Sequence, residues 1–215
     1  VRHDPAGVVV IITPWNSPLM LATWKLGPAL AAGNTVIVKP PEWAPLTSSL
    51  LADCAHAAGL PPGVFNIVQG SGAHTGAKLV SDPRLARVSF TGSVPTAKWI
   101  AQAAGANLVP CSLELGGKSP FIVLEDADLD EASTGAVMGR LVNTGQTCTS
   151  SKRFIVVDSV YDAFVEQFVA KMADVQPADP TLEDTLVGPL SSARARDELH
   201  ELVEDAVQNG ATVLT

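Results

Sequence analysis

Short apolar runs, separated by stretches of helical pattern, are the feature that most constrains how this chain folds. The first run, GVVVIITPWN at 7–16, is continuously apolar up to a proline, which is typical of a strand buried on both faces of a parallel sheet. Similar runs follow at 35–40, 63–70, 86–92 and 109–117. Stretches of helical pattern lie between them, at 19–34, 45–61, 72–82 and 93–105. This alternation predicts right-handed βαβ units, and therefore an α/β fold with a doubly wound parallel sheet.

Several residues mark where these helices begin and end. Gly33 and Asn34 form a C-terminal stop for the first helix. Thr47 or Ser48 is the expected N-cap of the second helix. Ser93 is the expected N-cap of the helix at 93–105, whose first turn contains a proline, a residue tolerated there.

The pattern changes after Gly117, so we place a domain boundary near 114–118. A strand and an acidic helix start are predicted in SPFIVLEDADLD. The rest of the chain predicts helices at 130–145, 159–175 and 193–211 and a strand at 152–158.

Composition excludes several classes of function. The formal net charge of −8 and the scattered Lys and Arg residues argue against nucleic-acid binding, which needs clustered cations. No apolar run approaches the roughly 20 residues of a membrane helix. The chain has three cysteines without a C-x-x-C spacing and four dispersed histidines. This pattern predicts neither a disulfide framework nor a metal site. We therefore expect a cytoplasmic protein without a structural metal.

Both ends of the chain look like cuts through a longer protein. The sequence begins with Val1 rather than methionine, and it ends inside an apolar run, ATVLT. We expect it to be the central portion of a longer polypeptide.

Polar or glycine-rich segments follow all five predicted strands of the first half. Because parallel strands end at the same edge of a sheet, and ligands bind at that edge, we expect most of the chemistry there. These strand exits are Trp15–Asn16, Lys39–Glu42, Gly70–Gly76, Thr91–Ser93 and Glu114–Gly117.

Three residues are candidates for catalysis on their chemistry alone. Cys148, in NTGQTCTSS, is either an incidental loop residue or a thiolate nucleophile. Glu114 ends an apolar strand and is either an exposed charge or a partly desolvated general base. Asn16 either satisfies turn backbone or donates its amide to a developing oxyanion.

Other strand exits carry weak signals for a dinucleotide. Lys39 and Glu42 form either a surface ion pair or a ribose contact, since a carboxylate accepts hydrogen bonds from both ribose hydroxyls. QGSGAHTG has the spacing G-x-G-x-x-x-G rather than the usual G-x-G-x-x-G. FTGS precedes a helix and is either a phosphate site or a simple cap.

The order of these motifs is more specific than any one of them. The motifs are, in order, TPWNSPL, GPALAAGNTVIVKPPE, GLPPGVFNIVQG, FTGS, LELGGKSP and GQTC. Together they resemble the aldehyde dehydrogenase superfamily over essentially the whole chain. The resemblance implies that Cys148 attacks an aldehyde to form a thiohemiacetal, while Asn16 and the Cys148 N–H stabilise the oxyanion. It also implies hydride transfer to NAD(P)+, and hydrolysis of the resulting thioester by water that Glu114 activates, which releases a carboxylic acid.

The resemblance further implies a set of cofactor contacts. Lys39 and Glu42 match the adenosine-ribose contacts, and Ser93 and Trp15 match residues near the pyrophosphate and the nicotinamide. The carboxylate of Glu42 favours NAD over NADP, because its charge would repel the 2′-phosphate. The whole implied set is Trp15, Lys39, Glu42, Gly72, Gly76, Thr91, Gly92, Ser93, Leu115 and Gly116.

A substrate tunnel is also implied, and its residues are mostly apolar or neutral. Trp24 stands where succinate-semialdehyde enzymes usually carry an arginine, which favours a neutral aliphatic or aromatic aldehyde. TWKLGPALAAG and KPPEWAPLTSSLLAD, however, look most like relatives that act on semialdehydes of aromatic breakdown, so both substrate classes stay open. The tunnel set is Ser17, Met20, Leu21, Trp24, Val142, Thr147 and Thr149.

The family pattern finally implies a domain layout and an assembly. Residues 1–114 correspond to a dinucleotide-binding domain, incomplete at its N-terminus, and 115–215 to the first part of a catalytic domain. The full-length protein is expected to be a homodimer or homotetramer. Two alternatives remain, a non-catalytic remnant of the fold and a coenzyme A-acylating enzyme, although the acylating branch lacks the base found at Glu114.

Overall fold

The computed structural model describes residues 4–215, which divide into two compact units. The division falls between Gly116 and Gly117. Each unit combines parallel strands with helices.

The first unit contains a five-stranded sheet in the order β3-β2-β1-β4-β5. All four pairings are parallel, which confirms the α/β fold with a parallel sheet. The strands are β1 Val8–Ile12, β2 Thr35–Lys39, β3 Phe65–Ile67, β4 Arg87–Gly92 and β5 Cys111–Leu115.

Helices cover both faces of this sheet, as the continuous apolar run of β1 predicts. Val9 and Ile11 pack on one face with Leu26 of the first helix. Val10 and Ile12 pack on the other face with Ile100 of the fourth helix. The helices of this unit are α1 Pro18–Ala31, α2 Leu46–Ala57, α3 Ala77–Val80 and α4 Val94–Gly105.

One predicted cap is confirmed and another is wrong. The Ser93 Oγ accepts a hydrogen bond from the Thr96 N–H at 3.4 Å and caps α4. Neither Thr47 nor Ser48 caps α2, because the helix begins before them and both lie in its first turn. Pro45 holds the cap position, where its fixed φ of −86° already suits the helix.

Two predicted elements differ from the structure around glycine. The helix predicted at 72–82 opens with a π-helical turn, Gly72–Gly76, before α3. The helix predicted at 130–145 ends at Leu141, because Asn143, Thr144 and Gly145 all have positive φ. That conformation is outside the right-handed helix, so the chain turns there instead.

The second unit contains a parallel pair of strands, β6 Ser119–Val123 and β7 Ser151–Val156. Phe164 is buried against Val123 and Ala136 in its core. The helices are α5 Leu129–Leu141, α6 Tyr161–Ala173 and α7 Ala193–Gln208. In the part of the chain that the structure describes, no helix has both the length and the apolar character to cross a membrane.

Asn34 ties the end of α1 to the entrance of β1. Its Oδ1 accepts hydrogen bonds from the Ala6 N–H at 2.7 Å and the Gly7 N–H at 3.0 Å. Its Nδ2 donates to the Ala29 carbonyl at 3.0 Å. The side chain therefore joins two segments that are distant in sequence through three hydrogen bonds.

Asn34→Ala should lower the free energy of unfolding by about 2–4 kcal/mol, since it removes all three hydrogen bonds of this buried side chain, each worth about 1 kcal/mol. Urea denaturation followed by circular dichroism measures this loss. Asn107→Ala is the matched control, because the exposed Asn107 amide donates a single bond, to the Ser81 carbonyl. An equal loss in both variants would contradict this role of Asn34.

Candidate active site

The strand order places a crevice between the carboxyl ends of β1 and β4. The chain leaves β1 toward β2 on one side and later returns beside β1 as β4, so the loops that follow β1 and β4 diverge. Such a point of divergence is where open α/β sheets bind ligands. A cavity of about 390 Å³ lies there, lined by Thr13, Pro14, Trp15, Lys39, Pro41, Glu42, Trp43, Gly72, Phe90, Thr91, Gly92, Ser93 and Thr96.

Most of the cofactor residues expected from the sequence line this cavity. Gly76 does not line the cavity. It is buried next to the Lys39 side chain, since a Cβ added at Gly76 would lie 3.7 Å from the Lys39 Cδ. Leu115 and Gly116 lie at the end of β5 and are not among the lining residues. The expected residues that do line it are Trp15, Lys39, Glu42, Gly72, Thr91, Gly92 and Ser93.

Lys39 ends β2 as a buried cation on the cavity wall. Its side chain is 3% exposed, and its Nζ donates a hydrogen bond to the Pro40 carbonyl at 2.8 Å. Burial lowers the pKa of Lys39, and the nearby charge of Glu42 partly opposes this effect. Nζ has three donors, and among the described residues one of them is hydrogen-bonded, so donors remain for a ligand in the cavity.

Glu42 joins the exits of β2 and β3. Its Oε1 accepts a hydrogen bond from the Gly72 N–H at 2.7 Å, at the first residue of the π-helical turn. The Ser71 Oγ accepts from the His74 N–H at 3.2 Å and caps the same turn. The carboxylate is therefore held at the cavity wall by backbone rather than by a cation.

The exit of β4 brings the backbone close to the cavity. A Cβ on Gly92 would lie 2.4 Å from the Phe90 Cζ, so this position excludes any larger residue without a shift of the ring. Thr13 and Thr91 are buried, and their hydroxyls have no hydrogen-bond partner among the described residues. Buried hydroxyls are normally satisfied, so these two are available to a bound molecule.

A second cavity, of about 490 Å³, shares Gly72 and Thr96 with the first. Its walls are mostly apolar, and α3 and α4 supply much of them. The remaining lining residues are Ala73, Ala77, Pro95 and Trp99.

Sequence reasoning missed Thr13 and Lys25. Thr13 is a polar residue at the end of an apolar run, and that position could have identified it. Lys25, on α1, is half-buried. Burial lowers the pKa of Lys25, and the carboxylate of Glu114, exposed on β5, raises it. Only the fold brings these two charges near each other.

Other residues expected in the site lie on or next to α1. Asn16 and Ser17 are half-buried in the turn that precedes the helix. Met20 and Trp24 are exposed, Trp24 to 67%, whereas Leu21 is buried.

The Cys148 loop is in the second unit, between α5 and β7. It begins with left-handed backbone at Asn143, Thr144 and Gly145, with φ of 52°, 58° and 72°. A β-branched residue rarely adopts this conformation, and such strain tends to occur at functional sites. A Cβ on Gly145 would lie 3.1 Å from the Arg140 carbonyl oxygen, a backbone atom, so this close approach also favours glycine.

Cys148 itself lies in a turn that spans 147–150. The Ser150 N–H donates to the Thr147 carbonyl at 3.4 Å, and the hydroxyls of the same two residues form a short hydrogen bond. Cys148 and Thr149 are exposed, as is Val142 before the loop. The thiol is therefore exposed to solvent on a turn whose first and last residues are joined by hydrogen bonds.

The whole chain matches one known family. Residues 1–215 match the sequence model of the aldehyde dehydrogenase family. The chain belongs to this family. It is 45% identical to succinate-semialdehyde dehydrogenase of Paenarthrobacter nicotinovorans over 216 residues, which is 100% of this chain and 48% of that protein.

Crystal structures of aldehyde dehydrogenases share the fold. Aldehyde dehydrogenase C of Pseudomonas syringae, a cysteine-to-alanine mutant in complex with NAD+ and octanal, is 38% identical, with a TM-score of 0.94. 3,6-Anhydro-L-galactose dehydrogenase, in complex with NAP (NADP), is 45% identical, with a TM-score of 0.93. Each match covers 99% of this chain and 44% of the other. The chain thus spans about half the length of the relatives it matches.

Glu114→Gln should lower the pKa of Lys25 further, because it removes the negative charge that raises this pKa. A lower pKa leaves more of the amine neutral and reactive, so acetylation of Lys25 by acetic anhydride near pH 8 should become faster. Quantitative peptide mass spectrometry measures the rate, and Lys98 on α4 is the internal control. An unchanged rate at Lys25 would show that Glu114 does not act on it.

Proposed function

We propose that the protein containing this chain oxidises an aldehyde to a carboxylic acid with a nicotinamide dinucleotide, preferably NAD+. The observation that carries this proposal is the cavity between β1 and β4, in a chain that belongs to the aldehyde dehydrogenase family. Relatives of the same fold include complexes with NAD+ and with NADP.

The residues of the cavity fit a dinucleotide. The unpartnered hydroxyls of Thr13 and Thr91 and the remaining donors of Lys39 offer hydrogen bonds to a polar ligand. The N-terminus of α4, just after Ser93, carries a partial positive charge suited to a pyrophosphate. Glu42 accepts hydrogen bonds and thus suits ribose hydroxyls, and the apolar second cavity suits a flat base.

The proposed chemistry assigns the steps to residues of this chain. The Cys148 sulfur attacks the aldehyde carbon, and the Asn16 amide and the Cys148 N–H hold the resulting oxyanion. The bound dinucleotide supplies the acceptor for the hydride that leaves this carbon, after which the acyl group remains on Cys148 as a thioester. Glu114 takes a proton from water, which attacks the thioester and releases the acid.

The substrate class is open between neutral aldehydes and semialdehydes. The expected tunnel residues Met20 and Trp24 are large and apolar, which favours a neutral aliphatic or aromatic aldehyde. The 45% identity to a succinate-semialdehyde dehydrogenase favours an aldehyde that carries a carboxylate. A substrate panel therefore needs both classes.

Glu114 favours hydrolysis over acyl transfer to coenzyme A. Hydrolysis needs a base for water, and a carboxylate stands at this position, whereas transfer to a thiol does not need it. A non-catalytic remnant of the fold would not need Cys148 or Glu114, yet the chain has both.

The full-length protein with NAD+ and the aldehyde panel should produce NADH, followed at 340 nm, and Cys148→Ala should remove this activity. Glu114→Gln should still give the first turnover but slow steady-state turnover by about 10²–10⁴-fold, because hydrolysis lacks its base. The control is Cys54→Ala, since Cys54 is also a free, exposed thiol. Production of NADH by Cys148→Ala, or by wild type only with coenzyme A, would refute the proposal.

Glu42→Gln should reduce the preference for NAD+ over NADP+ by about tenfold or more. Removal of one negative charge next to the 2′-phosphate should improve the binding free energy of NADP+ by about 1.4 kcal/mol, which corresponds to a factor of about ten. The ratio of kcat/KM for the two cofactors measures it. Glu125→Gln, an exposed carboxylate in the other unit, is the control. A wild-type enzyme that prefers NADP+ would show that Glu42 does not set the choice.

A further inference from the structure

Lys152 is a half-buried cation that binds the backbone of the Cys148 loop. Its Nζ donates hydrogen bonds to the carbonyls of Thr147 at 3.2 Å, Cys148 at 3.3 Å and Ser150 at 3.2 Å. An ammonium group has three donors, so all of them are directed to this one turn.

Lys152 is held by backbone carbonyls rather than by a carboxylate of the described residues. No acidic side chain forms an ion pair with it in residues 4–215. Burial lowers the pKa of Lys152, the cations Arg140 and Lys118 lower it further, and only Cys148 raises it. A folded protein has to offset the cost of keeping this ammonium charged, and the three carbonyls are its partners.

The contact with Thr147 also fixes the direction of the Cys148 N–H. The Thr147 carbonyl and the Cys148 N–H belong to one planar trans peptide, so they point in opposite directions. With the carbonyl held by Lys152 and by the Ser150 N–H, the Cys148 N–H must point away from Lys152. This N–H donates to no acceptor among the described residues. A cation on the carbonyl also polarises the peptide and makes its N–H a stronger donor.

We propose that Lys152 is a positioning residue that aims and polarises the Cys148 N–H as an oxyanion donor, through the Thr147 carbonyl. This inference rests on the proposed function, in which that N–H stabilises the tetrahedral oxyanion. Arg140 supports the same loop from α5, since its Nη1 donates to the Gly145 carbonyl at 3.3 Å.

Two reagents that react with the thiol separate this role from a general effect on Cys148. With p-nitrophenyl acetate, the sulfur adds to the carbonyl, an oxyanion forms, and p-nitrophenolate leaves as the thioester forms. With iodoacetamide, the sulfur displaces iodide from carbon, and no oxyanion forms. A residue that orients an oxyanion donor therefore affects the first reaction and spares the second.

In the full-length protein, Lys152→Met should slow acylation of Cys148 by p-nitrophenyl acetate about tenfold more than it slows alkylation by iodoacetamide. Lys152→Arg, which retains charge and donors, should restore the ester rate to within about threefold of wild type. Absorbance of p-nitrophenolate and peptide mass spectrometry give the two rates, with Cys148→Ala as background and Cys54 as the internal reference. If Lys152→Met does not fold, Lys152→Gln is measured in its place.

Lys118→Met is the matched control, because it removes a neighbouring cation whose side chain donates no hydrogen bond among the described residues. It should leave the ratio of the two rates within about twofold of wild type. Equal slowing of both reagents by Lys152→Met, no slowing of either, or an arginine variant as slow as the methionine variant would overturn the inference. The reactions with both reagents proceed without a dinucleotide or an aldehyde, so they test Lys152 independently of aldehyde oxidation. Failure of the wild-type protein to oxidise aldehydes would refute the proposed function but would leave these rates measurable.

Discussion

The parallel pairing of β1 with β4 is the contact on which the cavity depends. Ile12, the last residue of β1, lies beside Phe90, and β4 continues two residues further to Gly92. The loop after β1 leads to α1 on one face of the sheet, and the loop after β4 leads to α4 on the other. The space between them exists because the strand order reverses at this point, and its chemistry comes from the residues that happen to follow each strand.

Much of this unit could be predicted from the sequence because its signals are local. β1 is apolar at every position, since both of its faces are covered. The polar segments that follow the strands lie at one edge of the sheet because the strands are parallel. The electrostatic effect of Glu114 on Lys25 could not be predicted, because the two residues are far apart in sequence and only the fold brings their charges near each other. Likewise, Thr47 and Ser48 are good caps in isolation, but Pro45 begins the helix before them.

The position of the Cys148 loop between a helix and a strand could be predicted from the sequence, but its shape could not. The thiol among small polar residues leaves a nucleophile and an incidental loop residue both open, and the sequence predicts that the helix continues through Thr144 to Gly145. Helical pattern cannot reveal a left-handed threonine, which costs on the order of 1–3 kcal/mol and persists only where its surroundings impose it. Here the Thr144 hydroxyl donates to the Gly188 carbonyl, and the Gln146 side chain accepts from the Ser191 N–H.

Lys39 and Lys152 represent the same solution in the two units. Each is an ammonium group whose pKa burial lowers, and each donates to backbone carbonyls rather than to a carboxylate. A carboxylate bonded to the ammonium group would neutralise its charge. Neutral carbonyls hold the ammonium group in place and leave its charge unneutralised, on the cavity wall at Lys39 and beside the Thr147–Cys148 peptide at Lys152.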